Sequence, residues 1–210
     1  MMRYQGYYWT VLAPLLRKSI TTRYSEQLAR MAIDNGKQEY RALLERADDI
    51  GEGNPLEKTA YFAYACMAAW LASGKLISPA GMGVVMGDVL KKLRLFLSGV
   101  NINTAKGSKY WYQQMKAYEA WWQEHPLPAA WQVHFDETRH RDGSFFYFSH
   151  CPIRSFCQRE GAGEFVEALD AAERTLFQLQ HGKLHREDGT PKTDAKYTYW
   201  IVGDKVENPL

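Results

Sequence analysis

Cys151, His134 and Asp136 are residue types that together run nucleophilic chemistry. A thiol attacks, an imidazole takes its proton, and a carboxylate nearby steadies the charge. Whether they meet depends on a hairpin. Asp142-Gly143 is a strong signal for a two-residue turn. Before it, Trp131, Val133 and Phe135 alternate with Gln132, His134 and Asp136, and after it comes the aromatic run Ser-Phe-Phe-Tyr-Phe-Ser-His. With Asp142 and Gly143 as the turn residues, Arg141 pairs with Ser144, Phe135 faces His150, Asp136 faces Ser149 and His134 faces Cys151. Trp131, Val133, Phe135, Phe146 and Phe148 then share a core face. His134, Asp136, Thr138, Tyr147, Ser149 and Cys151 share the other. Opposed Cβ atoms lie about 4.5–5.5 Å apart, within reach for a thiol and an imidazole. A slip of one residue undoes the pairing.

Pro152 suits the first turn of a helix and so places Cys151 at its start. The N–H groups and the dipole at that end favour a thiolate. The competing account makes Cys151 a small buried hydrophobe and His134 a surface histidine. Cys157 follows after one and two-thirds helical turns, so its sulfur points elsewhere, and neither a disulfide nor a usual zinc spacing results. Cys66 lies within an apolar helix and reads as core. Asp170 sits beside the apolar stripe of its helix. It is either paired with Arg174, four residues on, or a carboxylate at a pocket rim that holds a cationic or amidine group. Arg154 and Arg159 are candidates to bind a substrate carboxylate, or else ordinary solvated charges. His181 and His185 have the spacing of helical metal ligands, but Gly182 argues for a turn and a strand there.

The elements that must position these groups are mostly helices. Residues 9–45 carry helical spacing, with Asn35-Gly36 as a candidate interruption. Asn54-Pro55-Leu56-Glu57 reads as a helix start with Asn54 as cap. Residues 59–72 are apolar nearly all round, which marks a central helix ended by Gly74. Ser78-Pro79 opens another helix, and residues 108–124 form an aromatic one. Tyr110, Trp111, Tyr112, Tyr118, Trp121 and Trp122 there line a ligand cavity or a dimer contact, or simply pack a core. Beyond the hairpin, a short helix runs from Pro152 to near Gly161. Residues 164–179 form a helix burying Phe165, Leu169, Ala172 and Leu176, and strands are expected near residues 183–186 and 195–202. The fold class is therefore α+β, an N-terminal helical layer packed against a small, mainly antiparallel sheet with C-terminal helices. The predicted division is a helical region over 1–127 and an α+β region over 128–210, within one compact domain.

The whole chain has 210 residues, of which 46% are hydrophobic and 24% charged, a globular composition. Its net charge of +2 lacks the basic surplus of a nucleic-acid binder. The early apolar stretch at 7–16 is too short to span a membrane. No small-residue cleavage site follows it, and three cysteines make no disulfide framework. A cytoplasmic protein without membrane partners is expected, and the aromatic excess is compatible with a homodimer.

The run His150-Cys151-Pro152-Ile153-Arg154-Ser155-Phe156-Cys157, followed by Gly161, Glu164, Phe165 and Asp170 and a strand ending in an aromatic segment, resembles the L-2-amino-thiazoline-4-carboxylic acid hydrolase family. The preceding helical region is compatible with it. The resemblance implies hydrolytic opening of a thiazoline ring, with Cys151 and Asp170 as the carried-over residues and Cys157 behind them. The sequence departs from the family where many members have further cysteines: Glu167 and Lys196-Tyr197-Thr198 stand there. The expectation is a hydrolase of a C–N bond in a small cyclic amidine-like or thiazoline-like acid, with no cofactor. Cys151 attacks or positions water, His134 moves the proton, Asp170 orients the exocyclic amino group, and Arg154, Tyr147 and Cys157 bind substrate. Its rivals are a catalytically silent small-molecule binding or interaction module, and a metal hydrolase using His134, His150 and Asp136 or Asp170.

Overall fold

The computed structural model describes residues 1–97, 99–136, 138, 140–186 and 197–207. Helices make up 59% of the described residues, and the described strands form one four-stranded antiparallel sheet, which is the α+β class expected. No helix among the described residues is long and apolar enough to cross a membrane. The chain divides into two compact units, each made of two segments. One comprises Met1–Leu93 with Ile153–Ala172, the other Arg94–Pro152 with Glu173–Leu210. Each unit takes up residues from both sides of residue 127.

The first unit is helical: α1 (Gly6–Arg23), α2 (Glu26–Asp34), α3 (Gly36–Arg46), α4 (Glu57–Ala72), α5 (Pro79–Lys92), α9 (Pro152–Arg159) and the first half of α10 (Phe165–Leu179). Helix α4 is its centre. Every residue from Ala60 to Trp70 but Phe62 is buried, as an apolar helix without a polar face requires. Residues 9–45 break twice. Asn35 separates α2 from α3 as expected, and a further break precedes α2, where the Ser25 hydroxyl caps the helix by accepting from Leu28 N–H at 3.1 Å. Ser78 caps α5 in the same way, through Gly81 N–H. Asn54 does not cap α4. It is buried, accepts from Leu56 N–H at 2.8 Å and donates to the Ile50 carbonyl at 2.6 Å, so its side chain builds the turn before the helix. Gly83 is required where α5 meets α10: a Cβ there would lie 2.6 Å from the Cβ of Ala171.

The second unit holds α6 (Arg94–Leu97), α7 (Ala105–Ser108), α8 (Tyr110–Glu124) and the rest of α10. Its sheet has strands β1 (Gln132–His134), β2 (Ser144–His150), β3 (Gly182–His185) and β4 (Tyr197–Gly203), in the order β1-β2-β4-β3. Residues 195 and 196 of the expected last strand lie outside the described residues. Paired residues sort the sheet into two faces. Val133, Phe146, Phe148, Tyr199, Leu184 and Ile201 form the core face, with Phe146 and Tyr199 stacked at 5.1 Å. Buried Gln180 ties this unit together: its carboxamide accepts from Trp111 Nε1 at 2.8 Å and donates to the Leu97 carbonyl at 3.0 Å.

The opposite face carries Phe145, Trp200 and His185, with His140 stacked on Trp200 at 3.7 Å. His185 approaches the same indole from β3, at 5.0 Å, and its buried Nε2 has no hydrogen-bond partner among the described residues. Burial, reinforced by the charges of Lys183 and Arg174 and by His140, pushes the His185 imidazole below its usual 6.5. The unfolded chain therefore takes up this proton at a higher pH than the folded one. Stability falls as pH drops below about 6.5 and levels off once the folded imidazole is also charged. Urea midpoints measured from pH 7.5 to 5 are expected to fall less steeply in His185→Phe than in the wild type; equal slopes would exclude His185 as the source.

Candidate functional site

The hairpin places His134 differently from the sequence expectation. Val133 lies opposite Phe148 and His134 opposite Tyr147, so His134 does not face Cys151, and its partner is displaced by four residues. The displacement is even, which preserves the faces although every partner changes. Side chains distant in sequence take the carbonyls around Asp142-Gly143. Lys109 Nζ donates to the carbonyls of Arg141 and Gly143, at 3.3 and 2.9 Å, and Trp200 Nε1 donates to that of Asp142 at 3.0 Å. Strand β1 has already ended at His134, and residues 135–143 make a longer connection. Asp136 serves this connection, accepting from the Thr138 N–H and hydroxyl at 3.0 and 2.7 Å.

A bulge lies beside His134. Gln132 pairs with His150 and Val133 with Phe148, which leaves Ser149 as the additional residue on β2. The Ser149 hydroxyl donates to Gln132 Oε1 at 3.2 Å and lies 2.8 Å from His134 Nε2. With the hydroxyl proton engaged by Gln132, His134 donates from Nε2 to the Ser149 oxygen. The ring stacks on Tyr147 at 5.0 Å, so Tyr147 supports the imidazole. On its other side, His134 borders a cleft of about 210 Å³ lined by Tyr118, Glu119, Trp122, Gln123, Trp131, Gln132 and Val133. The cleft is held open from below: the Tyr118 hydroxyl donates to the Trp131 carbonyl at 2.9 Å and Trp122 Nε1 to that of Leu127 at 3.3 Å. The aromatic helix thus both packs a core, through Tyr118 and Met115, and lines a cavity.

Cys151 immediately precedes Pro152, the first residue of α9, as the Cys-Pro pair predicts, and it is 7% exposed. Cys157 is fully buried in the helical unit, as is Cys66, whose thiol burial pushes well above its ordinary range. Arg154 is only 2% exposed. Its guanidinium donates from Nη2 to Asp170 Oδ1, across from α9 to α10 within the helical unit. Asp170 thus pairs with Arg154, whereas Arg174 reaches toward the Leu184 carbonyl at 3.4 Å. Arg154 is a buried structural cation, and burial of this kind requires its carboxylate. Arg159 bonds to Asp48 at 2.7 Å and to the Arg46 carbonyl at 3.0 Å, which anchors the last turn of α9. Glu167 is exposed on α10, Thr198 lies opposite Tyr147 in the sheet, and Lys196 falls outside the described residues.

One cluster had no sequence signal. Glu173 accepts from Arg186 Nη2 and from the Tyr199 hydroxyl, at 2.8 Å for the latter, and the Arg186 guanidinium lies 4.0 Å from the Tyr199 ring centroid. These three residues come from a helix, a strand end and another strand, so no local spacing joins them. His181 has a left-handed backbone, φ 59°, at the turn before β3, and the helical spacing of His181 and His185 has no helix to act on. Among the described residues no group of three His, Cys, Asp or Glu side chains is placed to hold a metal ion.

Exposure ranks the three thiols. Alkylation of the native protein at neutral pH, followed by peptide mapping, is expected to modify Cys151 before Cys66 or Cys157, and the latter two only on unfolding. Modification of Cys66 or Cys157 first would contradict this order. Compared with models of known protein families, with curated proteins and with solved structures, the chain matches none.

Proposed function

We propose that the chain is a hydrolase that opens a C–N bond in a small cyclic amidine-like or thiazoline-like acid, with the Cys151 thiol as the attacking group. The observation that carries this reading is the seat of Cys151 at the start of α9. The positive end of the helix dipole favours the thiolate there. The substrate class comes from the resemblance of the Cys-Pro segment to L-2-amino-thiazoline-4-carboxylic acid hydrolases. The sulfur adds to the electrophilic ring carbon, the ring nitrogen leaves as the protonated amine, and water releases the remaining adduct and restores the thiol.

The site residues take revised roles in this account. His134, opposite Tyr147 and bonded to Ser149, moves no proton for Cys151. Asp170 and Arg154 hold α9 through their ion pair, and Cys157 packs behind them in the core. Hydrolysis of 2-amino-thiazoline-4-carboxylate is measured for the wild type, Cys151→Ala and Cys151→Ser, with and without a chelator. Turnover by the wild type, a loss of about 10³-fold or more in Cys151→Ala, and indifference to the chelator are expected. No turnover by the wild type removes this substrate. Turnover that survives in Cys151→Ala removes the thiol mechanism.

A further inference from the structure

We infer that the cleft between α8 and β1 binds a small organic cation carrying several N–H donors, such as an amidinium or guanidinium group. The inference rests on what lines the cleft and is independent of the Cys151 chemistry. Its walls are the aromatic side chains of Tyr118, Trp122 and Trp131. Its polar groups include one carboxylate, that of Glu119, and the carboxamides of Gln123 and Gln132, which offer acceptor oxygens as well as donors. Among the described residues, no Lys or Arg side chain lines it. Lys116 stands one turn back, 3.1 Å from Glu119 Oε2, with its ammonium 4.0 Å from the Phe135 ring centroid. It holds the carboxylate in place at the rim of the cleft.

Aromatic faces and a carboxylate together attract a delocalised cation, through the ring quadrupole and through charge-assisted hydrogen bonds. The Glu119 carboxylate and the aromatic faces disfavour an anion. The volume of about 210 Å³ corresponds to roughly seven waters at about 30 Å³ each, which suits one ring and its charged head and is too small for a drug-sized ligand. Two hydrogen bonds fix the cleft before any ligand arrives, from Tyr118 to the Trp131 carbonyl and from Trp122 to the Leu127 carbonyl. Little ordering is left for binding to impose.

The test compares benzamidinium with benzamide, its neutral counterpart of the same shape, in calorimetric titrations of the full chain at pH 7.5. Benzamidinium is expected to bind at least about fivefold more tightly, as a cation–π contact with a carboxylate neighbour supplies. In Glu119→Gln the preference is expected to fall to about twofold or less, while benzamide binding stays unchanged. Trp122→Leu is expected to weaken both ligands. Glu119 is half-buried on a helix surface, so its amide variant keeps the readout even where the tryptophan variant fails to fold. Equal affinities for the two ligands, no binding of benzamidinium, or a preference undiminished in Glu119→Gln would each overturn the inference.

Discussion

A guanidinium that water barely reaches is stable only beside its counter-charge, and the Arg154–Asp170 pair imposes that condition on the helical unit. Removing one partner of a buried ion pair costs about 3–5 kcal/mol. The pair links the first turn of α9 to the middle of α10. Other contacts within the same unit complete the clamp. Phe156 meets Tyr64 edge-on at 5.1 Å, Phe165 lies 5.3 Å from Trp70, and Arg159 bonds to Asp48. Within the helical unit, α9 is therefore held near both ends, its first turn by a charge pair whose members stand sixteen residues apart.

The consequence is a division of labour unlike the one that residue types suggest. Cys, His and Asp invite a triad, yet the three occupy different local tasks. Asp136 closes a turn, His134 belongs to a Ser149–Gln132 hydrogen-bond chain, and Cys151 leads a helix. Asp170 pairs with the buried Arg154 guanidinium. The imidazole and the thiol thus occupy separate places, one at the rim of an aromatic cleft and one at a helix start.

What the sequence made legible was whatever is written locally. Helix α4 declared itself by lacking a polar face, α5 by Ser78-Pro79, and α9 by Cys151-Pro152. The faces of the hairpin were also legible, since alternation survives an even displacement of partners. Its register was not. The Asp142-Gly143 signal is genuine turn chemistry, but its carbonyls are claimed by Lys109 and Trp200, side chains 30 to 60 residues away that no local rule anticipates. Asn54 was misassigned for a related reason: the same side chain serves a cap or an Asx turn, and the Ile50 carbonyl decides between them. The position of Asp170 beside its apolar stripe hinted at an inward partner, and only the fold shows that the partner is Arg154 and not Arg174. The Glu173–Arg186–Tyr199 cluster is entirely a product of tertiary structure.

The clamp on α9 is tested most directly by a double-mutant cycle on Arg154→Met and Asp170→Leu, read as unfolding free energy in urea. If the pair carries the helix, each single variant loses about 3 kcal/mol, nearer the lower bound because the Asp170 side chain is 25% exposed. The double variant is then expected to lose far less than the two losses combined, because neither charge remains without its partner. Two small losses that simply add would contradict the account and leave α9 to be held by its apolar contacts and by Arg159.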